Sequence, residues 1–376
     1  MSELASYSIQ AVFFALIAVV VVSRSKKTDL YQFALISIWL VGVLTIYIRY
    51  REGQDLFYSN DQLFHQQVIQ YYLPIVGLHL SSVVSLRYLL TVPVYFISLL
   101  GFNSLLIIKF FQLSALLFVY QRSRLFIEAQ KLNVRFWQLP LIAGPILVFM
   151  SLLSLRDVLL AYFALLFITA PDYKGKILGL CGAFLLRPHL AVALAFGYAI
   201  CFVYSKWKPK YQSFGLAVIA LISYMFGTAA YWVGAVIQKG ANFDAPNTVF
   251  TQFKFSQLAA NFFGLQFLAL SNPENGLVAS STTSLLLSRI VFFDTILIPV
   301  LFLSAVFRHP QFLTKEKVVV LQAFMFFYGV VSQTAWNSTR QNIPFIACMG
   351  VLAVADIEHY RKIKAAVGTK LLAATR

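Results

Sequence analysis

Long apolar runs, separated by short polar segments, recur along the whole chain. The first covers roughly residues 8–22 and the second 30–48, and neither shows the strict alternation that is typical of half-buried strands. Because backbone amides inside a bilayer must bond within their own segment, such runs predict membrane-spanning α-helices. Similar runs predict spans near 102–120, 139–154 and 212–236.

Together with the runs around these segments, the pattern predicts an all-α, polytopic transmembrane bundle of about 11 spans, with residues 1–376 forming a single domain. Segments 49–101 and 238–283 are predicted outer loops, and 358–376 is a predicted cytoplasmic tail. Amphipathic stretches in the first outer loop predict interfacial helices that lie on the membrane surface.

The segment between PDYKGK and KWKPK has only about 30 residues, which is too short for two full spans. The chain must nevertheless leave and return between these two basic segments. A turn inside the membrane is therefore predicted at its polar break, Arg187, Pro188 and His189.

The composition excludes a soluble globular domain, since 60% of the residues are hydrophobic and only 12% are charged. Of the 30 Lys and Arg residues, 20 fall in six segments assigned to the cytoplasm, as the positive-inside rule requires. This places the N-terminus outside and the C-terminus in the cytoplasm. The net charge of +16 thus sets topology, and no nucleic-acid partner is expected.

Charged residues are concentrated in Arg49 to His65, just after the second apolar run. Asp61 is the preferred catalytic acid, because a transferase acting on a hydroxyl acceptor needs a carboxylate to take its proton. Asp55 is the main competitor. On a helix, Asp61 and His65 would share a face, as a metal pair or as a base with an orienting partner. The alternative is a solvated loop whose acids offset nearby arginines.

Four arginines fall at the predicted outer ends of helices: Arg49, Arg156, Arg187 and Arg340. A positive charge on the outer side of the membrane runs against the positive-inside rule, is costly and is usually functional. The four arginines therefore predict a shared pocket for an anionic lipid headgroup. The alternative is that each arginine reaches separately to the outer headgroups.

Two further residues lie beside these arginines. Asp157 is either a catalytic acid or a cap that complements the N-terminus of its helix. His189 is either a substrate-contacting proton donor or a structural residue. No Walker loop, GxSxG elbow or HExxH motif is present, and no ligand cluster predicts a metal site, although a divalent cation would be compatible with the outer acids.

Several segments resemble motifs of the GT-C integral-membrane glycosyltransferases. DQLFHQQ at 61–67 is similar to the DE-x-x-Y-type motif of the first outer loop, and SLLGFNSLLIIKFF at 98–111 to the LFG-x-N segment. STRQNIPFIACMGVL at 338–352 resembles the late RY-x-x-P helix. RYREGQDLFY at 49–58 resembles the R-x-x-x-G-x-D-x-x-Y stretch of exopolysaccharide polymerases, the relatives of O-antigen polymerases.

The resemblance implies a transferase or polymerase in the bacterial inner membrane that uses a polyprenyl-phosphate or polyprenyl-diphosphate sugar donor. A glycan or lipid-linked acceptor would then be its second substrate, with membrane lipids around it. The rival interpretation is a transporter or flippase for lipid-linked glycans or other anionic substrates, which should show inverted repeats and paired interrupted helices.

Overall fold

A computed structural model of the chain describes residues 3–25, 29–51, 60–153, 155–207, 212–241, 282–308, 313–331 and 339–374. Within these ranges the regular structure is entirely helical, which confirms the predicted all-α class. The first eight helices are α1 (Glu3–Ser23), α2 (Leu30–Arg51), α3 (Asn60–Gln67), α4 (Leu73–Val76), α5 (Tyr88–Ser98), α6 (Ser104–Ala129), α7 (Leu139–Ile142) and α8 (Pro145–Leu152). The others are α9 (Asp157–Thr169), α10 (Tyr173–Leu186), α11 (Pro188–Trp207), α12 (Gln212–Ala241), α13 (Thr282–Arg308), α14 (Lys315–Val331) and α15 (Ile343–Ala374).

Six of the described helices are long and apolar enough to cross a membrane: they cover Leu4–Ser23, Leu30–Ile48, Ser104–Ala129, Pro188–Ser205, Ser213–Val233 and Ile343–Ala366. Large apolar side chains on these helices face outward, and Leu16, Val41, Phe202 and Met225 are all more than half exposed. So much exposed apolar surface suits lipid and not water. The chain is therefore a helical membrane protein.

The centre of the bundle is formed by α6, α9 and α15. Helix α9 is only 13 residues long, yet it packs against α6, α10 and α15. The apolar windows of α6 and α15 are 67% and 83% buried, whereas those of α1, α2, α11 and α12 are at most 33% buried. The latter four helices thus form the periphery, where a bilayer would meet the protein.

The predicted single helix over 139–154 is wrong, because the structure has two short helices there, α7 and α8. Gly144 is extended (φ −86°, ψ −175°) and Pro145 is the first residue of α8. Proline lacks the amide hydrogen that a continuous helix needs, but it is well tolerated in the first helical turn. The segment predicted as a cytoplasmic tail from 358 is part of α15, which stays helical to Ala374.

The segment over 60–98 folds into short helices. Between α3 and α4 lies a π-helical turn, Val68–Tyr72, and between α4 and α5 a 3₁₀ turn, Leu80–Ser82. Helix α3 contacts α6, and α5 contacts both α6 and α10. This segment is thereby held against the bundle.

Helices α12 and α14 approach each other closely at a pair of glycines. A Cβ atom added at Gly227 would lie 2.0 Å from the Phe326 carbonyl oxygen, and one added at Gly329 would lie 2.2 Å from that of Tyr224. Small residues at such crossings let two helix backbones pack in lipid. Beside them, the Ser223 hydroxyl donates to Gln322 Oε1 at 2.6 Å.

Ionic contacts gather where α6 and α9 end and where α14 begins. Arg124 pairs with Asp29, and the buried Lys317 pairs with Asp356. Arg122 donates to the backbone of Thr169 at the end of α9. We call this the ion-pair end of the bundle. The opposite end, where α6 and α9 begin and α10 finishes, carries Arg156 and Arg187 and is called the arginine end.

Candidate functional site

The break between α10 and α11 places Arg187 in the interior. Helix α10 ends at Leu186 and α11 begins at Pro188, as the sequence predicted. A residue before proline is disfavoured in the helical region, and Arg187 is accordingly extended (φ −157°, ψ 90°). Its carbonyl oxygen accepts the Leu190 amide at 3.0 Å, and its side chain is only 5% exposed.

A second break, between α8 and α9, presents Arg156 and Asp157. Helix α8 ends at Leu152, and Leu153 is extended. Arg156 occupies the N-cap position of α9. Asp157 lies in the first turn of α9 and has no exposed side-chain surface. A carboxylate at this place complements the positive end of the helix.

The two breaks are joined by reciprocal contacts. Arg187 Nη2 donates to Asp157 Oδ1 at 3.4 Å, and Arg156 Nη1 donates to the carbonyl oxygen of Leu186. Each arginine therefore binds the chain segment that carries the other. The sequence predicted that Arg156 and Arg187 would share a pocket, and the structure brings both to one place. Asp157 is the ion-pair partner of Arg187 at this place.

Helix α6 adds two buried polar side chains. Lys109 is 1% exposed and its ammonium donates to the Leu152 carbonyl oxygen at 2.5 Å, at the end of α8. Gln112 is fully buried, and its Oε1 accepts the Leu159 amide of α9 at 3.3 Å. That contact satisfies one of the amides that a helix N-terminus leaves without an intrahelical partner. Lys109, Arg156, Arg187 and Asp157 give the cluster a net formal charge of +2.

Neither Lys109 nor Gln112 was predicted as part of the site. A signal existed for Lys109, because a lysine inside an apolar helix is costly in lipid and is usually functional.

Asp294 was also recognisable, because it is a charged residue within the apolar stretch VFFDTILIP. Asp294 Oδ2 accepts the Ile146 amide at 3.1 Å and thereby caps α8 from the distant helix α13.

His189 lies on the first turn of α11, facing α14. Its ring stacks on Phe327 with the centroids 5.6 Å apart, and Phe327 contacts Phe345 at 5.2 Å. The charges of both Arg187 and Arg156 act on the imidazole. Phe345 belongs to the first turn of α15, so an aromatic chain leads from the arginine cluster to the segment that follows Arg340.

His65 contributes to a second polar contact, on α3. Its side chain is fully buried, and its Nε2 lies 2.7 Å from Arg87 Nη1, so the imidazole accepts this hydrogen bond. The guanidinium of Arg87 also covers the ring of Phe64, 4.6 Å from its centroid. The backbone of Asp61 lies four residues earlier in the same helix, which agrees with the predicted shared face.

The structure leaves several predicted site residues outside what it describes. Asp55 lies outside the described residues, and so do the side chains of Asp61, Arg49 and Arg340. The backbone of Arg340 forms part of the 3₁₀ turn Thr339–Asn342, which packs on α15. Among the described residues, no three His, Cys, Asp or Glu side chains are grouped as a metal site would require.

The arrangement can bind an anion. Three cations and a single carboxylate leave this cluster with a net positive potential in a water-poor interior, where electrostatic attraction is strong. Arginine in particular holds phosphate oxygens through parallel hydrogen bonds.

In comparisons with known proteins, the chain matches no protein-family model, no curated protein and no solved structure.

Proposed function

We propose that the protein is a membrane glycosyltransferase or polysaccharide polymerase of the GT-C type. It would transfer sugar units from a polyprenyl-phosphate or polyprenyl-diphosphate donor to a hydroxyl acceptor on a glycan or another lipid-linked sugar. The observation that carries the proposal is the meeting of Arg156 and Arg187 at one end of the bundle, where Arg156 binds the Leu186 carbonyl oxygen and Arg187 binds the buried Asp157 across two helix breaks. Such a site suits a phosphate attached to a lipid that reaches it from the membrane.

In the proposed reaction, the acceptor hydroxyl attacks the anomeric carbon of the donor sugar. Asp61 takes the hydroxyl proton, and the polyprenyl phosphate leaves with the electrons of the broken glycosidic bond. A single displacement of this kind inverts the anomeric configuration. Arg156, Arg187 and Arg340 would stabilise the charge that grows on the leaving phosphate, which is the largest electrostatic demand of the step.

Asp157 has a different part in this proposal. Because it is buried against Arg187, it is a positioning residue that holds the guanidinium at the break between α10 and α11. His65, bonded to Arg87 on the short helices that contact α6 and α10, would orient the segment that carries Asp61. The donor phosphate and the acceptor would then meet between this segment and the arginine cluster.

The proposed topology has about eleven spans, with the arginine end on the outer face of a bacterial inner membrane. Its support is the grouping of charges: contacts of the predicted cytoplasmic segments, such as Arg122 with Thr169 and Lys317 with Asp356, all lie at the ion-pair end. Helices α3 to α5 would lie along the outer membrane surface. An activated sugar would arrive in the outer leaflet as its lipid phosphate.

The first test is the Asp61→Asn variant in a strain that lacks the native gene. We expect loss of the glycan product with normal amounts of membrane-inserted protein, because the amide cannot take the acceptor proton. Asp172→Asn is the matched control, since the exposed Asp172 caps α10 through the Gly175 amide and asparagine caps helices equally well. Undiminished glycan synthesis by the Asp61→Asn protein would refute the assigned role.

A second measurement separates the transferase from a flippase. Mass spectrometry of the deletion strain should show accumulated lipid-linked sugars, and in spheroplasts these should be open to a membrane-impermeant oxidant such as periodate. That result places the substrate in the outer leaflet, before a missing transfer step. Accumulation that periodate cannot reach would instead indicate a transporter.

A further inference from the structure

A cavity of about 190 Å³ lies at the ion-pair end of the bundle, far from the arginine cluster. It is formed where α9 ends, where α10 and α14 begin, and along the last turns of α11. Drug-sized ligands occupy pockets of roughly 300–1,000 Å³, so this one suits a smaller group, such as the headgroup of a lipid.

The lining of the cavity is amphipathic. Lys176, Lys315, Glu316 and Ser205 supply polar groups, and apolar side chains such as Phe202 supply the rest. Phe202 is 62% exposed and Val203, beside it, is 61% exposed, so this part of α11 faces the lipid. A ligand here would meet charged groups at one end and an apolar helix face at the other.

Three charged side chains are among the residues that line the cavity. Lys176 lies over the Tyr198 ring, with its ammonium 5.2 Å from the centroid. The Cys201 thiol reaches the Lys315 carbonyl oxygen at 3.6 Å, and the charges of Lys176, Lys315 and Glu316 all act on that thiol. Two lysines and one glutamate give the lining a net charge of +1, which complements a single phosphodiester charge. A diphosphate, with its larger charge, is matched less well.

We infer that this cavity binds the phosphodiester headgroup of an anionic membrane lipid, with phosphatidylglycerol as the expected occupant. The phosphate lies between Lys176 and Lys315, and one acyl chain follows the exposed apolar face of α11 past Phe202. This lipid is bound in addition to any substrate, because its site lies at the end of the bundle opposite Arg156 and Arg187.

The test is a titration of the purified, delipidated protein with phosphatidylglycerol and phosphatidylcholine, read by native mass spectrometry. We expect phosphatidylglycerol to bind more tightly, and its affinity to fall roughly 30-fold in the K176Q/K315Q variant, since each lysine near a membrane surface contributes about 1 kcal/mol, or about fivefold. The matched control is K362Q/K364Q, which removes two exposed lysines of α15 outside the cavity. This control should change the affinity less than twofold.

A gain of binding provides an independent check, because misfolding would not make the protein bind the lipid more tightly. The E316Q variant removes the negative charge that Glu316 contributes to the described lining and should bind phosphatidylglycerol more tightly than the unchanged protein. Equal losses in the two double-lysine variants, equal affinity for both lipids, or unchanged binding in E316Q would each overturn the inference. So would displacement of the lipid by millimolar inorganic phosphate, because the site would then recognise free phosphate.

Discussion

Arg187 and Asp157 are both almost fully withdrawn from solvent, at 5% and 0% exposure. Removing two charges from water is costly, and a buried ion pair often adds little stability compared with apolar residues of similar volume. Its presence beside Arg156 and Lys109 therefore favours a role in binding or orientation over a purely structural one. The pair also joins the two helix breaks, so in the proposed function its loss would affect both stability and the binding site.

Arg187→Ala should destabilise the protein by about 3–5 kcal/mol, because it removes the positive charge that faces the buried Asp157 carboxylate. Chemical unfolding in mixed micelles measures this loss. In the double variant Asp157→Asn/Arg187→Ala, the loss of stability should fall short of the sum of the losses in the two single variants, which a double-mutant cycle reports as coupling. The control Arg135→Gln removes a pair with Glu358 whose arginine is 52% exposed, and it should cost less than about 1 kcal/mol. Additive losses at Asp157 and Arg187 would contradict the assigned contact.

At this scale the sequence singled out Arg156 and Arg187 but not their partners. Arg156 and Arg187 were recognisable because they lie against the expected distribution of charge, whereas the link from Arg187 to Asp157 spans 30 residues and depends on how two breaks meet. Lys109 and Gln112 come from a different helix, and their contacts depend on the rotation of α6 about its axis. That rotation is set by packing and is not encoded in any local pattern.

At the scale of elements, proline and glycine decide where helices stop and how closely they pack. The break before Pro188 was predictable because proline acts through its immediate neighbours. The break at Gly144 and Pro145 was missed, since α7 and α8 together form an apolar run that reads as one helix. The contact between Gly227 and Gly329 was also invisible, because it joins two helices that are remote in sequence.

Gly227→Val should weaken the packing of α12 on α14 markedly, because its Cβ would overlap the Phe326 carbonyl oxygen. We expect a loss of at least about 2 kcal/mol in unfolding free energy, at the level of overpacked cores. Ala229→Val is the matched control on the same helix, since Ala229 is exposed and its substitution should be nearly neutral. Equal stability of the two variants would show that the helices do not cross at these glycines.

At the scale of the whole molecule, charge separates into two groups at opposite ends of an apolar bundle. The ion-pair end gathers basic residues with acidic partners, whereas the described arginine end holds three cations and one carboxylate, Asp157, which pairs with Arg187. The proposed topology, which rests on the positive-inside rule, has the first of these ends in the cytoplasm. The sequence predicted a division of charge because that prediction depends only on how many Lys and Arg residues each loop contains. These numbers change little when the predicted end of a helix is wrong by a few residues.

Single cysteines on either side of α6 test this orientation in a variant that lacks Cys181, Cys201 and Cys348. Helix α6 has 26 residues and is therefore about 39 Å long, enough to cross a bilayer. Leu100→Cys precedes α6 and should react with an impermeant maleimide in intact spheroplasts, since Leu100 is 76% exposed. Gln130→Cys follows α6 and should react only after the membrane is opened. The reverse pattern would place the arginine end in the cytoplasm.

The cap that Asp294 provides to α8 has a consequence for biosynthesis. Asp294 follows Ile146 by 148 residues, so the first turn of α8 has no access to its capping carboxylate while the ribosome makes the intervening chain. At the usual rates of translation this interval lasts about 7–30 s. The amino-terminal half therefore waits in the translocon or the bilayer with an exposed peptide amide, and it reaches its final form only when the later helices are inserted beside it.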